Sequence, residues 1–131
     1  MYKPYTSERF EKVAREIDAA AQEILEAKKH VYSPDDDRLE DFHFVGQALG
    51  LRPAQVAAVY LLKHVQSLAV RVRHQDYQWY DEGGKEGLVS RAADIINLTK
   101  LLMACVDEEV GIVEGRKATN RIEVLKPAQE A

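Results

Sequence analysis

The segment SRAADIINLTKLLMAC, residues 90–105, constrains the fold more than any other part of the chain. Written as a helix, it is apolar on nearly every face, so neighbouring helices are expected to cover it. Asp94 and Asn97 nevertheless lie in its middle, one helical turn apart and on the same side. A buried polar group without a partner costs on the order of a few kcal/mol. The segment therefore predicts a central helix whose polar side chains form a site between packed helices.

Composition is typical of a folded, globular chain. The 131 residues suffice for one hydrophobic core, and the hydrophobic share of 46% and charged share of 31% are ordinary for such a protein. Helical periodicity continues to about residue 110 and then fades. We therefore predict a single all-α domain at residues 1–110 and a C-terminal arm or flexible tail at residues 111–131.

Two features predict the location of the protein. Residues 1–10 lack an apolar signal core, and the longest uninterrupted apolar run, from Val56 to Leu62, is too short to cross a membrane. The single cysteine, Cys105, lies in an apolar helical run, which is typical of a core thiol in a reducing compartment. We expect a cytoplasmic protein without a membrane partner.

Apolar spacing and capping residues predict the helices. Four stretches follow the three-then-four spacing of helices, at residues 7–29, 34–49, 53–74 and 86–108. Thr6 or Ser7 is expected to cap the first helix. Ser33 and Pro34 suit the start of the second helix, and Gly50 suits its end. The predicted fold is a four-helix bundle.

Three consecutive aspartates, at positions 35–37, have two interpretations. Acidic residues favour the positive end of a helix, and several carboxylates close together also suit a metal ion. Adjacent side chains point in different directions around a helix, so we favour capping over metal binding.

The third helix carries polar residues inside an apolar stretch. Its first half is apolar nearly all round, which predicts that neighbouring helices enclose it. Lys63 and Ser67 fall one turn apart there, and the simplest partner for Lys63 is Asp94 of the fourth helix. Two interpretations stay open, a structural Lys63–Asp94 ion pair and a ligand site. The residues alone slightly favour the ion pair.

The net charge of −4 conceals a locally basic segment. No acidic residue occurs between Asp41 and Asp76, whereas Lys63, Arg71 and Arg73 lie there. Such a segment suits a small anion, and the alternative is a solvated basic face that pairs with acidic residues elsewhere. Duplex binding usually needs a larger basic surface, so nucleic acid is not an expected partner.

An aromatic loop separates the third and fourth helices. In QDYQWYDEGGK, residues 75–85, two glycines mark a turn, and Tyr77, Trp79 and Tyr80 form an aromatic cluster. Such a cluster can stack on a nucleobase, but aromatic residues beside a turn more often pack over the end of a bundle. We therefore favour packing.

The third and fourth helices resemble a known family. PAQVAAVYLLKHVQSL, residues 53–68, followed by EGLVSRAADIIN, residues 86–97, is similar to small phage proteins classed as MazG-like or nucleotide-modification-associated. ADIINL also resembles the second metal helix of the MazG-type nucleotide pyrophosphohydrolases. Tyr32, Ser33 and LEDF at residues 39–42 resemble the aromatic and acidic positions that precede a phenylalanine in the phage proteins. The resemblance covers about residues 27–104.

The resemblance implies a MazG-type bundle, completed by homo-oligomerisation, with a nucleotide-sized pocket between helices. A phage-encoded member would act in the cytoplasm of the host cell. In the MazG enzymes, acids in an EExxE motif and a later ExxD motif hold Mg²⁺, which bridges the phosphates. Asp94 matches the aspartate of ExxD. However, Arg91 stands at the glutamate position of that motif, and the third helix has no acid where EExxE is expected.

These departures favour binding over hydrolysis. We predict a protein that binds a nucleotide or a nucleotide-derived signal between helices. The predicted ligand-binding residues are Lys63, Ser67, Arg71, Arg91, Asp94 and Asn97. In this hypothesis the basic side chains contact phosphate, and Asp94 and Asn97 contact sugar or base edges.

Two alternatives stay open. One is a Mg²⁺-dependent nucleotide pyrophosphohydrolase, with Glu86 and Asp94 as metal ligands and a carboxylate from residues 35–41 completing the site. The other is a helical interaction protein without a small ligand, in which the polar pair only fixes the register of the helices. The sequence has no Walker phosphate loop and no HExxH or paired-cysteine metal signature that would decide between them.

Overall fold

The computed structural model describes residues 2–29 and 37–112, and this part of the chain is all-helical, as predicted. The helices are α1 (Ser7–Lys29), α2 (Glu40–Leu49), α3 (Pro53–Arg73) and α4 (Leu88–Val110). No strand occurs in these residues, where one isolated β-bridge joins Glu82 and Lys85. None of these helices combines the length and the apolar character needed to cross a membrane. Most of the predicted C-terminal arm, residues 113–131, lies outside the described residues.

Local hydrogen bonds explain two of the helix ends. The Oγ1 atom of Thr6 accepts a hydrogen bond from Arg9 N at 3.2 Å, which confirms the predicted cap of α1. Gly50 follows α2 in the left-handed conformation, with φ at 69°, and its N–H donates to Gly46 O. The predicted end of α2 at Gly50 is therefore confirmed.

The predicted start of α2 at Pro34 is wrong, because the helix begins at Glu40. Asp37 Oδ1 accepts a hydrogen bond from Leu39 N at 3.0 Å, so this aspartate fixes a turn that comes before the helix. The other two aspartates of the triplet, with Ser33 and Pro34, lie outside the described residues.

The described residues form two compact units, and the boundaries between the units fall inside α3 and α4. Unit 1 contains residues 2–29 and 63–97, which include α1. Unit 2 contains residues 37–62 and 98–112, which include α2.

Unit 2 has an apolar core. Its buried residues are Phe42, Val56, Ala57 and Cys105. The rings of Phe42 and Tyr60 lie 5.7 Å apart between centroids and are tilted by 57°, close to the arrangement that aromatic pairs prefer. The partly buried residues around this core are Leu39, Val45, Leu51, Ala54, Tyr60, Leu98, Leu101 and Leu102.

Cys105 lies at the centre of this core and is fully buried, which confirms the predicted core thiol. Burial, followed by the nearby charges of Glu108 and Glu109, raises the pKa of the Cys105 thiol to about 11. The thiol is therefore protonated and unreactive at neutral pH.

The prediction that neighbouring helices enclose the first half of α3 is wrong. Val56 and Ala57 are buried, but Val59 is 49% exposed, Leu62 is 66% exposed and Lys63 is also exposed. Apolar composition indicates a preference for burial, but it does not say how many faces the rest of the fold covers.

Candidate functional site

A cleft of about 390 Å³ in unit 1 brings several predicted residues together. Its walls come from α1, from the loop before α4 and from the first half of α4. The lining residues are Ala20, Glu23, Ile24, Lys28, Asp81, Glu86, Ser90 and Asp94. The volume lies in the range of small-molecule sites, roughly 300–1,000 Å³. Glu86 and Asp94, the predicted metal ligands, thus both line this one cleft.

The cleft is negatively charged. Four of its lining residues are acidic and one, Lys28, is basic. The sequence predicted a pocket in which Lys63, Arg71 and Arg91 surround a phosphate, but none of these three residues lines the cleft. Most of the charged groups that a ligand in the cleft would contact are therefore carboxylates, and Lys28 is the one basic residue of the lining.

Asp81 holds the loop before α4 in place. Its Oδ1 atom accepts hydrogen bonds from Gly87 N and from Ser90 Oγ, each at 2.8 Å. The backbone bond from Gly87, followed by the bond from Ser90, lowers the pKa of the Asp81 carboxyl. Asp81 satisfies donors at the N-terminus of α4, which begins at Leu88 instead of at the predicted Glu86.

Gly87 allows this loop to approach the start of α4 closely. A Cβ atom at Gly87 would lie only 2.3 Å from Trp79 O, so a larger residue would push the backbone apart. Two backbone hydrogen bonds join the same loop to the first turn of α4: Leu88 N donates to Gln78 O at 2.8 Å, and Val89 N donates to Trp79 O at 3.1 Å. The cleft wall that carries Asp81 is therefore fixed to the helix that carries Asp94.

The predicted Lys63–Asp94 ion pair is wrong, because the basic group beside Asp94 is His64. His64 Nδ1 lies 3.9 Å from Asp94 Oδ2, and Arg91 Nη1 lies 3.3 Å from the same Nδ1. A guanidinium group only donates hydrogen bonds, so Nδ1 accepts from Arg91, and His64 is a neighbour of Asp94 without donating to it through this atom. Lys63 and His64 point about 100° apart around α3, and this rotation leaves Lys63 exposed.

The two arginines predicted to bind phosphate make contacts within unit 1. Arg91 Nη2 lies 3.1 Å from Glu86 Oε2. Arg71 Nη1 donates a hydrogen bond to Glu86 O at 2.6 Å, and its Nε lies 3.3 Å from Asp76 Oδ2. Both arginines thus support the loop before α4. Ser67, the remaining predicted ligand residue of α3, is half-buried and does not line the cleft.

Asn97 has a structural partner. Its side chain is buried, and its Nδ2 atom donates a hydrogen bond of 2.9 Å to the backbone carbonyl of Ala21 in α1. Asn97 does not line the cleft. The amide in the apolar helix therefore joins α4 to α1, whereas Asp94, one turn earlier, lines the cleft.

Sequence reasoning missed three charged residues of the cleft. Lys28 lies on the apolar face of the first helix, and a charged residue at such a position was the available signal. Glu23 has no comparable signal on a helix rich in acidic residues. Asp81 lies in a loop, and its position depends on hydrogen bonds that residue spacing does not predict.

Comparison with protein-family models, curated proteins and solved structures finds no match to this chain. The resemblance to MazG-like proteins therefore rests on the sequence patterns within residues 27–104 alone.

Proposed function

We propose that the protein binds a nucleotide or a nucleotide-derived signal in the acidic cleft, without efficient hydrolysis. The observation that carries this proposal is the convergence of Glu86, Ser90 and Asp94 on one cleft of small-molecule size. These residues belong to the segment in which the resemblance to MazG-like proteins was found.

The charge of the cleft affects how phosphate would be bound. A bare polyphosphate would be repelled by the four carboxylates, so we propose that hydrated Mg²⁺ accompanies the nucleotide. Glu86 and Asp94 would hold the ion, which would bridge to the phosphates. Mg²⁺ usually keeps several water molecules and needs only one or two protein carboxylates, so Glu86 and Asp94 would suffice. The described residues contain no cluster of three or more metal-ligating side chains.

Binding is proposed over turnover because Asp81 is a poor general base and Glu86 and Asp94 would be occupied by the ion. Asp81 accepts two hydrogen bonds, and the resulting low pKa makes it a weak general base. Glu86 pairs with Arg91, and Asp94 lies beside His64. In this proposal Asp94 also contacts the sugar or base edge, while Lys28 contributes the positive charge that Lys63 was predicted to supply.

Calorimetric titration with a nucleoside triphosphate panel, in Mg²⁺ and in EDTA, tests the proposal. We expect saturable binding in Mg²⁺, binding at least tenfold weaker in EDTA, and an intact nucleotide on chromatography afterwards. Asp94→Asn should weaken binding, whereas Glu11→Gln on the exposed surface of α1 should not. Equal binding with and without Mg²⁺ would contradict the bridging role, and release of monophosphate and pyrophosphate would establish the enzyme alternative.

A second proposal concerns self-association. Several apolar side chains of α3 are well exposed, namely Val59, Leu62, Val65, Val70 and Val72. Exposed apolar side chains in such number favour a protein interface, and we propose a homo-oligomer as the assembly. Light scattering after size exclusion tests this: a mass above that of one chain, reduced by Leu62→Glu, is expected, and a monomeric mass at all concentrations would contradict it.

A further inference from the structure

The loop between α3 and α4 exposes its aromatic residues. We refer to residues 76–87 as the hairpin loop. Tyr77 is 57% exposed, Trp79 is 37% exposed and Tyr80 is 63% exposed. The prediction that this cluster packs over the end of a bundle is therefore wrong for Tyr77 and Tyr80, whereas most of the Trp79 surface is covered. Large aromatic side chains are enriched at protein interfaces, so their exposure on one short loop requires an explanation.

The backbone of the hairpin loop is held in one conformation. Gly83 and Gly84 both have positive φ and form a two-residue turn, which is closed by two hydrogen bonds of 3.0 Å between Glu82 and Lys85. The Nε2 atom of Gln78 donates hydrogen bonds to Tyr80 O and Lys85 O, each at 3.0 Å. These bonds fix the loop without using the Tyr77 or Trp79 rings.

Ion pairs fix the base of the hairpin loop. The Nζ atom of Lys85 lies 2.6 Å from Asp76 Oδ2, and Arg71 pairs with the same aspartate. The carboxylate of Glu16 in α1 interacts with the Tyr80 hydroxyl and raises the pKa of the phenol. A surface that is rigid before binding loses little conformational freedom in a complex.

The charge of the hairpin loop indicates what kind of partner fits it. Four of its residues are acidic, and three of these are already engaged: Asp76 pairs with Lys85 and Arg71, Glu86 pairs with Arg91, and Asp81 accepts two hydrogen bonds. Glu82 is exposed at the tip, close in the chain to the aromatic residues. Aromatic rings with surplus negative charge attract arginine and lysine side chains by cation–π and Coulomb interactions.

We propose that the hairpin loop is a docking surface for a basic, arginine-bearing segment of another protein. Arginine side chains of the partner lie on the exposed rings of Tyr77 and Trp79, and Glu82 provides the complementary charge. Tyr77, Trp79 and Glu82 do not line the cleft, although Asp81 and Glu86 of the same loop do. It uses the residue types that dominate binding energy at interfaces, namely tryptophan, tyrosine and arginine.

The chain supplies its own reporter for this interaction, because Trp79 is its only tryptophan. The 131-residue chain is titrated with three peptides of equal length that carry arginine, lysine or glutamate at alternate positions, and Trp79 fluorescence is recorded. The arginine peptide should change the emission saturably and bind about two- to fivefold more tightly than the lysine peptide. The glutamate peptide should have no effect, and added salt should weaken the response.

Variants separate docking from general charge attraction. Tyr77→Ala should weaken arginine-peptide binding about two- to fivefold, Tyr77→Phe should retain it, and Glu82→Gln should weaken it. The matched control is Tyr5→Ala, since Tyr5 is also exposed but lies outside the hairpin loop. An unchanged emission with the arginine peptide, or equal binding by Tyr77→Ala, would overturn the proposal. A response to nucleotides that persists in Asp94→Asn, with no response to peptides, would replace it with base stacking.

Discussion

The two units of this protein both bury apolar side chains, but in unit 1 the polar contacts gather around one loop. The buried apolar residues of unit 1 are Ala21, Leu88, Val89 and Ala93. Unit 2 has a core of apolar side chains around Phe42 and Cys105, with tilted aromatic rings and partly buried leucines. In unit 1, hydrogen bonds and ion pairs hold the loop before α4, through Asp81, Arg71 and Asp76. Apolar packing contributes stability in proportion to buried area, whereas a polar contact depends on both of its partners. The comparison teaches that, in unit 1, the proposed ligand contacts would use side chains that also make structural contacts.

The largest expected effect is in the apolar core. Phe42→Ala should lower the free energy of unfolding by about 3–5 kcal/mol, because it removes a buried ring and leaves a cavity beside Tyr60. Urea unfolding measures the loss. The matched control is Phe44→Ala, two residues away but 73% exposed, which should cost far less. Similar losses for both variants would show that the apolar core of unit 2 is not as described.

The next effect is at the contact between α1 and α4 in unit 1. Asn97→Asp replaces the Nδ2 donor with a carboxylate oxygen facing the carbonyl of Ala21, and should cost about 3 kcal/mol at neutral pH. The loss should shrink in acid, where a protonated carboxyl can donate to Ala21 O. Asn97→Ala should cost less than Asn97→Asp at neutral pH. A reversed order would contradict the assigned orientation of the amide.

A smaller effect concerns the acid stability of the hairpin loop. The pKa of the Asp81 carboxyl is lowered in the folded protein, so its stabilising contribution is present above the ordinary value near 3.8. This contribution is lost as the pH falls through the lowered pKa. Urea unfolding at a series of pH values from about 5 to about 2.5 should show this loss as a fall in the free energy of unfolding. Asp81→Asn should flatten that part of the profile, and a profile as steep as that of the wild type would contradict the assignment.

The smallest effect is expected at Lys63. Because its side chain is exposed, Lys63→Gln should change the free energy of unfolding by no more than about 0.5 kcal/mol. His64→Gln, one position along α3, should change it more, since the contacts with Arg91 and Asp94 are lost. If Lys63→Gln lowered the free energy of unfolding more than His64→Gln, the result would support the Lys63–Asp94 ion pair instead.

The sequence predicted the helices well because apolar periodicity and capping residues act locally. Thr6, Gly50 and Pro53 mark helix ends in the structure as they do in the sequence. Cys105 was predicted to be buried because its whole helical segment is apolar. For the same reason, the first half of α3 was wrongly predicted to be enclosed, since composition does not reveal which face has a neighbour.

The site was only partly predictable, because polar partners depend on geometry. Asp94 was singled out by its place in an apolar helical segment and Glu86 by the resemblance to MazG-type proteins, and both line the cleft. The partner of Asn97 is a backbone carbonyl, which no residue pattern identifies. Lys63 and His64 are adjacent in the chain and differ by one residue's rotation around α3. Helical periodicity predicts the buried face too coarsely to say which of the two lies beside Asp94.

The central claim is that Asp94 serves a ligand site while its neighbour Asn97 serves the fold. The most direct measurement compares nucleotide affinity in Mg²⁺ with the free energy of unfolding for wild type and Asp94→Asn. Asp94→Asn keeps the shape of the side chain, so we predict at least a tenfold loss of affinity with a change in stability below about 1 kcal/mol. An unchanged affinity, or a large loss of stability without any nucleotide binding by the wild type, would contradict the claim.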